Sequence, residues 1–185
     1  YNGMGTTKEL VSPADPEVDK GIILRVPMMD VYNLSAQDLG FRTSSMPFSD
    51  TYTAMQTGVV DGFAGGAPQT NYNSFRDVDK YFYDYHQCQE ATCIYMNEEL
   101  FKSLLPQDQE TITKIIQQIC DESVDKAKTS DNEYKKKLSD EGINVIEFTD
   151  EELGVMAEHV RSTTWPKLAE TLGQDFLDNV KKSLD

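Results

Sequence analysis

The segment Gly21-Ile22-Ile23-Leu24-Arg25-Val26-Pro27 decides how the chain folds. Its run of apolar residues with high β propensity predicts a short buried strand over 22–26. Pro27 has no backbone N–H to continue a hydrogen-bonded ladder, so we expect the strand to end there and to open onto a crevice. Arg25 therefore stands where a buried strand meets that crevice.

Strands and helices alternate after this segment. Residues 29–39 can form a helix that ends at Gly40, and residues 41–46 have the character of a second strand. This alternation favours an α/β fold with a mainly parallel sheet flanked by helices. The further elements expected up to residue 95 are a helix over 50–56 capped by Ser49, a short strand at 59–60, a glycine-rich loop over 61–68 and a helical turn over 71–75. Residues 81–86 and 91–95 are expected to form one long strand or two strands in series.

One helix in the second half of the chain is longer than a small domain requires. Pro106 suits the first position of a helix, and apolar residues recur at helical spacing with no Gly or Pro before Gly142. A helix over 106–141 would be roughly 50 Å long at ~1.5 Å per residue, so we expect it to span two domains or to project from one. A strand over 143–148 and helices over 150–172 and 174–184 complete the predicted elements.

The composition excludes several classes of partner. The 185 residues carry 32 acidic and 17 basic side chains, and the resulting net charge of −15 repels nucleic acid and anionic membrane surfaces. No apolar run approaches the ~20 residues of a membrane-spanning helix. Three cysteines without a C-x-x-C pair argue against a disulfide framework or a zinc ribbon, and we expect Cys88 and Cys93 to be small buried residues.

Arg25 is the strongest candidate for ligand binding. The chain has four arginines, and an isolated buried cation is costly, so Arg25 must either pair with a carboxylate or face a polar cavity. Its planar guanidinium suits a bidentate contact with a ligand carboxylate. From the residues alone, ligand binding by Arg25 and a structural ion pair with one of the many acidic side chains are favoured about equally.

Two further features admit both a binding and a structural interpretation. The backbone of the glycine-rich loop could approach a ligand closely at Gly65 and Gly66. Such a loop is more often a tight turn, and this one lacks the Lys and the spacing of a nucleotide-binding P-loop. Phe48 could form an apolar wall for a ligand, although a phenylalanine is more often part of the core.

The sequence does not support an enzyme. His86 and His159 are far apart and have no metal-ligand spacing, and no G-x-S-x-G segment is present. The cysteines have no histidine partner in register. We therefore expect no catalysis, no metal site and no other cofactor.

Three motifs together resemble TRAP transporter solute-binding proteins of the DctP family. Residues 21–27 are similar to the G-x-K-[IL]-R-V-P segment of that family. Residues 46–62, MPFSDTYTAMQTGVVDG, are similar to its long and specific MPFSEVYTALQTGVVDG segment. Residues 104–109 resemble the LP-x-[DE]-x-Q start of the long helix of the family.

The resemblance implies a periplasmic-binding-protein-like (type II-like) fold, in which strands and one long helix join two α/β lobes. In that fold, residues 1–90 would form the second lobe and residues 91–130 a strand and the long helix that belong with the first lobe. Residues 131–185 would return to the second lobe and supply the C-terminal helices. Most of the first lobe would be absent, so we expect this chain to self-associate through its uncovered face.

The resemblance also implies a binding site. Arg25 matches an arginine with which family members form a salt bridge to the ligand carboxylate, and Phe48 matches an aromatic residue that packs on the ligand. Gly5 stands where sialic-acid-binding members carry a second arginine, and Gly65 stands where many members place a ligand-binding Asn. The backbone N–H groups of Gly65 and Gly66 are expected to substitute for these lost contacts.

The implied function is that of an extracytoplasmic receptor. It would bind a small organic acid, for example a dicarboxylate, and deliver it to the membrane permease subunits of a TRAP transporter. The full-length protein would carry a signal peptide and reside in the periplasm, or be anchored outside the cytoplasm as a lipoprotein. The alternative is a ligand sensor or protein-interaction module that uses the same fold without transport.

Overall fold

Six strands form a single sheet in the computed structural model, which describes residues 1–88 and 93–183 except for the side chains at positions 124 and 128. Five strands run in one direction, and the first strand runs antiparallel to both of its neighbours. The mainly parallel sheet predicted from the sequence is therefore confirmed. The strands are β1 (Gly3–Thr6), β2 (Ile23–Val26), β3 (Arg42–Ser45), β4 (Gly62–Gly66), β5 (Tyr81–Asp84) and β6 (Asn144–Glu147), in the spatial order β3-β2-β4-β1-β5-β6.

Helices flank this sheet. The helix that begins at Pro106 has 35 residues and confirms the predicted long helix. Leu105 holds the extended backbone of an N-cap, and proline is favoured at the first helical position, which together explain where this helix starts. The helices are α1 (Asp30–Asp38), α2 (Phe48–Gln56), α3 (Pro68–Phe75), α4 (Glu98–Ser103), α5 (Pro106–Asp140), α6 (Asp150–Leu172) and α7 (Gln174–Lys182), and none of them, within the described residues, is long and apolar enough to cross a membrane.

Alternate residues of β2 point to opposite faces of the sheet. Leu24 and Val26 are fully buried in a cluster that α1 and α6 share. On the other face, Phe63 of β4 packs with Phe75 of α3 in a second cluster that also takes in α2. Because successive side chains of a strand alternate between faces, Arg25 lies on the face covered by α2 and α3.

The glycine-rich segment is itself a central strand. The loop predicted over 61–68 and the strand predicted at 59–60 are therefore both wrong, since β4 covers Gly62–Gly66 and pairs with β2 and β1. A Cβ atom at Gly62 would come within 2.6 Å of the Gly5 carbonyl oxygen on β1. Glycine thus permits a close approach of two strands. Because glycine has a low β propensity, the sequence pattern predicts a loop at this position.

Two helix starts also differ from the predictions. α2 begins at Phe48, directly after the extended Pro47, and Ser49 Oγ donates to Asp50 Oδ1 at 3.0 Å. The prediction of Ser49 as the N-cap is therefore wrong, because the fixed backbone of Pro47 already starts the turn. α3 begins at Pro68, three residues before the predicted helical turn, since proline is favoured at the first helical position.

The segment before α4 departs from the predicted strand over 91–95. Residues 91–92 lie outside the described part of the chain, and residues 93–95 form no strand. Cys93 is exposed in this segment, so its predicted burial is wrong, whereas Cys88 is half-buried. The later elements follow the predictions: β6 and α6 lie where expected, and α6 starts with a capping box between Thr149 and Glu152.

Candidate ligand-binding site

Arg25 lies at the carboxyl end of β2, and only 5% of it is exposed. Its Nε and Nη2 atoms both donate to the Met46 carbonyl oxygen, at 3.0 and 2.8 Å. A guanidinium has five N–H donors, so three donors remain, and two of them form the outer edge of the fork. No carboxylate of residues 1–88 or 93–183 forms an ion pair with Arg25. The structural ion pair that the sequence left open is thus not found in the described part of the chain.

The ring of Phe48 stands next to this guanidinium. The Arg25 Cζ atom is 5.8 Å from the ring centroid, within the range of a cation–π contact. Phe63 and Phe75 hold the ring from behind with edge-to-face contacts, at centroid distances of 6.3 and 5.6 Å. The Phe48 side chain is nevertheless 48% exposed, so one face remains open to a ligand.

Burial disfavours the charged form of Arg25. Desolvation lowers the pKa of the guanidinium, and the electrostatic interaction with Tyr32 acts in the opposite direction. The ordinary pKa of arginine lies so far above neutrality that the group stays protonated. A ligand carboxylate placed on the outer edge of the fork would compensate this buried charge.

Three helix N-termini meet at the same edge of the sheet. α1, α2 and α3 follow β2, β3 and β4 respectively, and those three strands are parallel to one another. None of the three helices has a side-chain hydrogen bond at its N-cap. Their first N–H groups and their dipoles therefore favour an anion near Arg25, although Asp30 and Asp50 in the first turns of α1 and α2 offset part of this effect.

Asp61 fixes the relative position of the two strands that build the site. Its Oδ2 accepts the backbone N–H of Ile23 at 2.9 Å, and its own N–H donates to the Ile23 carbonyl at 2.8 Å. Lys8 Nζ is 2.8 Å from Oδ1. Burial works against ionisation of this carboxyl, but the hydrogen bonds from Lys8 and Ile23 prevail and lower the pKa of Asp61. The start of β2 is thereby locked to the start of β4.

Gly65 and Gly66 lie on the other side of Arg25, at the end of β4. Gly65 has φ +90° and falls at an irregularity of the β1–β4 ladder, where Gly3 pairs with Gly66 and Met4 with Ala64. Gly66 is buried within that ladder, and its carbonyl accepts a hydrogen bond from Asn71 Nδ2 at 3.1 Å. Gly65 is thus the member of the pair that borders the crevice, and backbone binding of a ligand there stays a prediction.

Tyr32 belongs to this site and was not predicted. Its ring lies against Gly65, since a Cβ atom built there would be 3.4 Å from Tyr32 Cε1. The Tyr32 hydroxyl and Asn2 Nδ2 each lie 3.2 Å from Cys88 Sγ. The position of Tyr32 in the first turn of a helix after a strand end is the one signal in the sequence that could have suggested it.

The remaining polar groups do not form a second chemical centre within the described residues. No group of three or more metal-ligating side chains occurs among residues 1–88 and 93–183. His86 Nε2 lies 3.4 Å from Asp84 Oδ2, and His159 Nε2 contacts the Asp38 carbonyl oxygen at 3.0 Å. The two histidines are thus engaged separately.

The model of the DctP family, bacterial extracellular solute-binding protein family 7, matches residues 2–171. The chain belongs to the DctP family. A relative is the sialic acid-binding periplasmic protein SiaP of Vibrio cholerae, which is 30% identical over 145 residues, 78% of this chain and 45% of that protein. The matched part of this DctP chain therefore covers less than half of SiaP.

Solved structures show the same fold for this DctP chain. The ectoine-binding protein TeaA of the TeaABC TRAP transporter has a TM-score of 0.80 at 19% identity, covering 99% of this chain and 60% of TeaA. A TRAP periplasmic solute-binding protein of Rhodoferax ferrireducens with bound malonate has a TM-score of 0.75 at 20% identity, covering 99% and 58%. One of Desulfovibrio salexigens with bound orotic acid has a TM-score of 0.76 at 19% identity, covering 98% and 58%. The predicted α/β fold with its long helix is thus confirmed as that of TRAP solute-binding proteins, which are transport proteins.

Proposed function

We propose that this DctP-family chain binds a small organic acid through a salt bridge to Arg25 and delivers it, as part of a periplasmic receptor, to the membrane subunits of a TRAP transporter. The observation that carries the proposal is the buried guanidinium of Arg25, which has no carboxylate partner in the described part of the chain. Phe48 supplies an apolar wall, and three uncapped helix N-termini favour an anion at the same edge.

The relatives support an acidic ligand without identifying it. The Rhodoferax and Desulfovibrio proteins hold malonate and orotic acid, and SiaP is named for sialic acid. We propose that the ligand of this chain is not sialic acid, because Gly5 offers no second guanidinium where the resemblance places one. Gly65 is proposed to contribute its backbone N–H group only, since Gly66 is paired with Gly3 of β1.

Replacing Arg25 with glutamine is expected to weaken the binding of a carboxylate ligand about 10- to 100-fold, because a hydrogen bond to a charged group contributes about 1.5–3 kcal/mol. Arg25→Lys should fall between the wild type and Arg25→Gln, since it keeps the charge but loses the planar fork. The measurement is calorimetric or NMR titration of the chain with an organic-acid panel.

Arg76→Gln is the matched control for this titration. Arg76 is exposed and lies over the Tyr72 ring, with Cζ 5.2 Å from the centroid, at the C-terminal end of α3, which is the end away from Arg25. This variant should keep wild-type affinity. Equal affinities for Arg25→Gln and Arg76→Gln, in variants that both retain the wild-type circular dichroism spectrum, would refute the proposed role of Arg25.

The lobe organisation also stays a proposal, and it has its own test. We propose that residues 93–130 belong with a first lobe, because this part of the chain exposes a series of large apolar side chains, namely Ile94, Tyr95, Met96, Leu100, Leu105, Ile115 and Ile119. An apolar surface of this kind favours association in water, so the chain alone should form dimers or larger species. Size-exclusion chromatography with light scattering checks this, and a monomer at all concentrations would contradict it.

A further inference from the structure

Apolar side chains that are exposed, and so do not belong to the core, lie close to Arg25. Met28 and Met29 directly follow the strand end, and 69% and 56% of these residues are exposed. The exposed ring of Phe48 faces the same guanidinium from the neighbouring strand end. Thioether and aromatic groups pack well against apolar ligand groups and offer no strong hydrogen bonds.

Position 65 adds to this apolar character. With φ +90°, the backbone there disfavours any residue with a side chain, and the space that a side chain would enter is bounded by the Tyr32 ring and by Pro27 Cγ at 3.8 Å. Gly65 therefore contributes no side-chain hydrogen-bonding group in this chain. The aromatic ring next to it is that of Tyr32, whose hydroxyl contacts Cys88 Sγ.

Two acidic side chains lie at the start of the helices that follow β2 and β3. Asp30 and Asp50 occupy the first turns of α1 and α2, next to Met29 and close to Phe48 in sequence, and both are exposed. A carboxylate on the outer edge of the Arg25 fork is attracted by the guanidinium. A second carboxylate on the same ligand would add negative charge at the edge of the sheet where Asp30 and Asp50 already lie.

Resting on the function proposed above, we propose that the ligand is a monocarboxylate with an aromatic or branched aliphatic body, and that Met28, Met29, Phe48 and Tyr32 select that body. Arg25 holds the carboxylate. A polyhydroxylated body would leave its hydroxyl groups without partners on this wall, and that loss costs more than a missing apolar contact. Dicarboxylates and sugar acids are therefore the poorer ligands for this half of the crevice.

The test uses the 185-residue chain labelled with ¹³C at the methionine methyl groups. The chain is titrated with 3-phenylpropionate and, for comparison, with three other compounds. Succinate has a second carboxylate, galacturonate has hydroxyl groups in place of the apolar body, and 3-phenylpropan-1-ol has no carboxylate. The phenylpropionate should shift the methyl signals of Met28 and Met29 and bind about tenfold more tightly than any of the three. Replacing both methionines with glutamine should weaken phenylpropionate about five- to tenfold and leave succinate unchanged.

Met96→Gln is the matched control, because Met96 is also half exposed but precedes α4, away from the crevice. If all three acids bind equally and all depend on Arg25, the selectivity proposed here is wrong and the acid-binding function stands. If phenylpropanol binds as well as phenylpropionate, or if no acid depends on Arg25, the proposed function itself fails. Tighter binding of succinate or galacturonate would overturn this inference alone.

Discussion

Replacing Gly5 with alanine is expected to destabilise the chain by about 3 kcal/mol, the upper range for overpacking a buried site. Gly5 lies in the middle of β1, fully enclosed between β4 and β5. A Cβ atom there would come within 2.5 and 2.7 Å of the two carboxyl oxygens of Asp79, and closer still to Asn71 Oδ1. Both of these side chains are buried, at 2% and 0% exposure, so neither can move aside into solvent.

The same substitution at Gly154 is expected to change the stability of the chain in the opposite direction. Gly154 lies in α6, and a Cβ atom there would meet nothing within 4 Å. Alanine should therefore stabilise the chain by about 0.5–1 kcal/mol, the usual gain for replacing glycine inside a helix. Urea unfolding followed by circular dichroism measures both variants. A Gly5→Ala variant as stable as the wild type would show that Asn71 and Asp79 do not hold the positions described.

This crowding bears on the second arginine that the resemblance implies at position 5 for sialic-acid-binding members. The space above its Cα atom is taken by Asn71 from α3 and by Asp79 from the segment before β5. An arginine at position 5 would have to displace both. A single Gly5→Arg substitution in this chain would therefore disrupt the packing of Asn71 and Asp79.

The strands that the sequence predicted well are those whose stability comes from their own residues. β2 is recognisable because an apolar β-branched run stops at a proline, and the long helix because a proline starts it and apolar positions recur to its end. The sequence pattern predicts no strand at β1 and a loop in place of β4. Both contain glycines whose role depends on the opposing strand, such as Gly62 against Gly5, and no local pattern reveals that contact.

The candidate site divides in the same way. Arg25 could be placed at a strand end from the sequence, because Pro27 fixes that end. That its charge has no carboxylate partner in the described residues could not be predicted, since the acidic side chains are numerous and their positions depend on the whole fold. Tyr32 could not be predicted for a related reason. Its contact with Gly65 joins a helix to a strand 33 residues later in the chain, and this contact depends on how the helix packs on the sheet.

Asp79 is a buried acid whose carboxyl group lacks hydrogen-bond partners among the described residues. Neither of its carboxyl oxygens has a hydrogen-bond partner among the described residues, and Asn71 Oδ1 beside it also has none. Burial, with a smaller effect of the nearby Asp77, raises the pKa of Asp79 well above its ordinary value. A protonated carboxyl could donate to Asn71 Oδ1, which would account for an arrangement that an ionised carboxylate would destabilise.

Asp79→Asn is therefore expected to stabilise the chain at pH 7 by about 1–3 kcal/mol, the range for removing an unsatisfied buried group, because its amide is a permanent donor for Asn71 Oδ1. The pH dependence follows from the raised pKa. The folded chain keeps its proton on Asp79 where the unfolded chain, with a carboxyl pKa of about 3.9, has lost it. Folding then takes up a proton, so wild-type stability falls as the pH rises from about 4 toward the folded pKa.

The advantage of Asp79→Asn should consequently shrink as the pH is lowered from 7 toward 4, where the wild-type carboxyl is protonated in both states. Urea unfolding at several pH values in this window measures the difference, and Asp125→Asn serves as the control because Asp125 is exposed on α5, away from Asp79. A constant difference between Asp79→Asn and wild type across the window would contradict a raised pKa at Asp79. A variant that is less stable than wild type at pH 7 would show instead that the ionised carboxylate is held by contacts that asparagine cannot make.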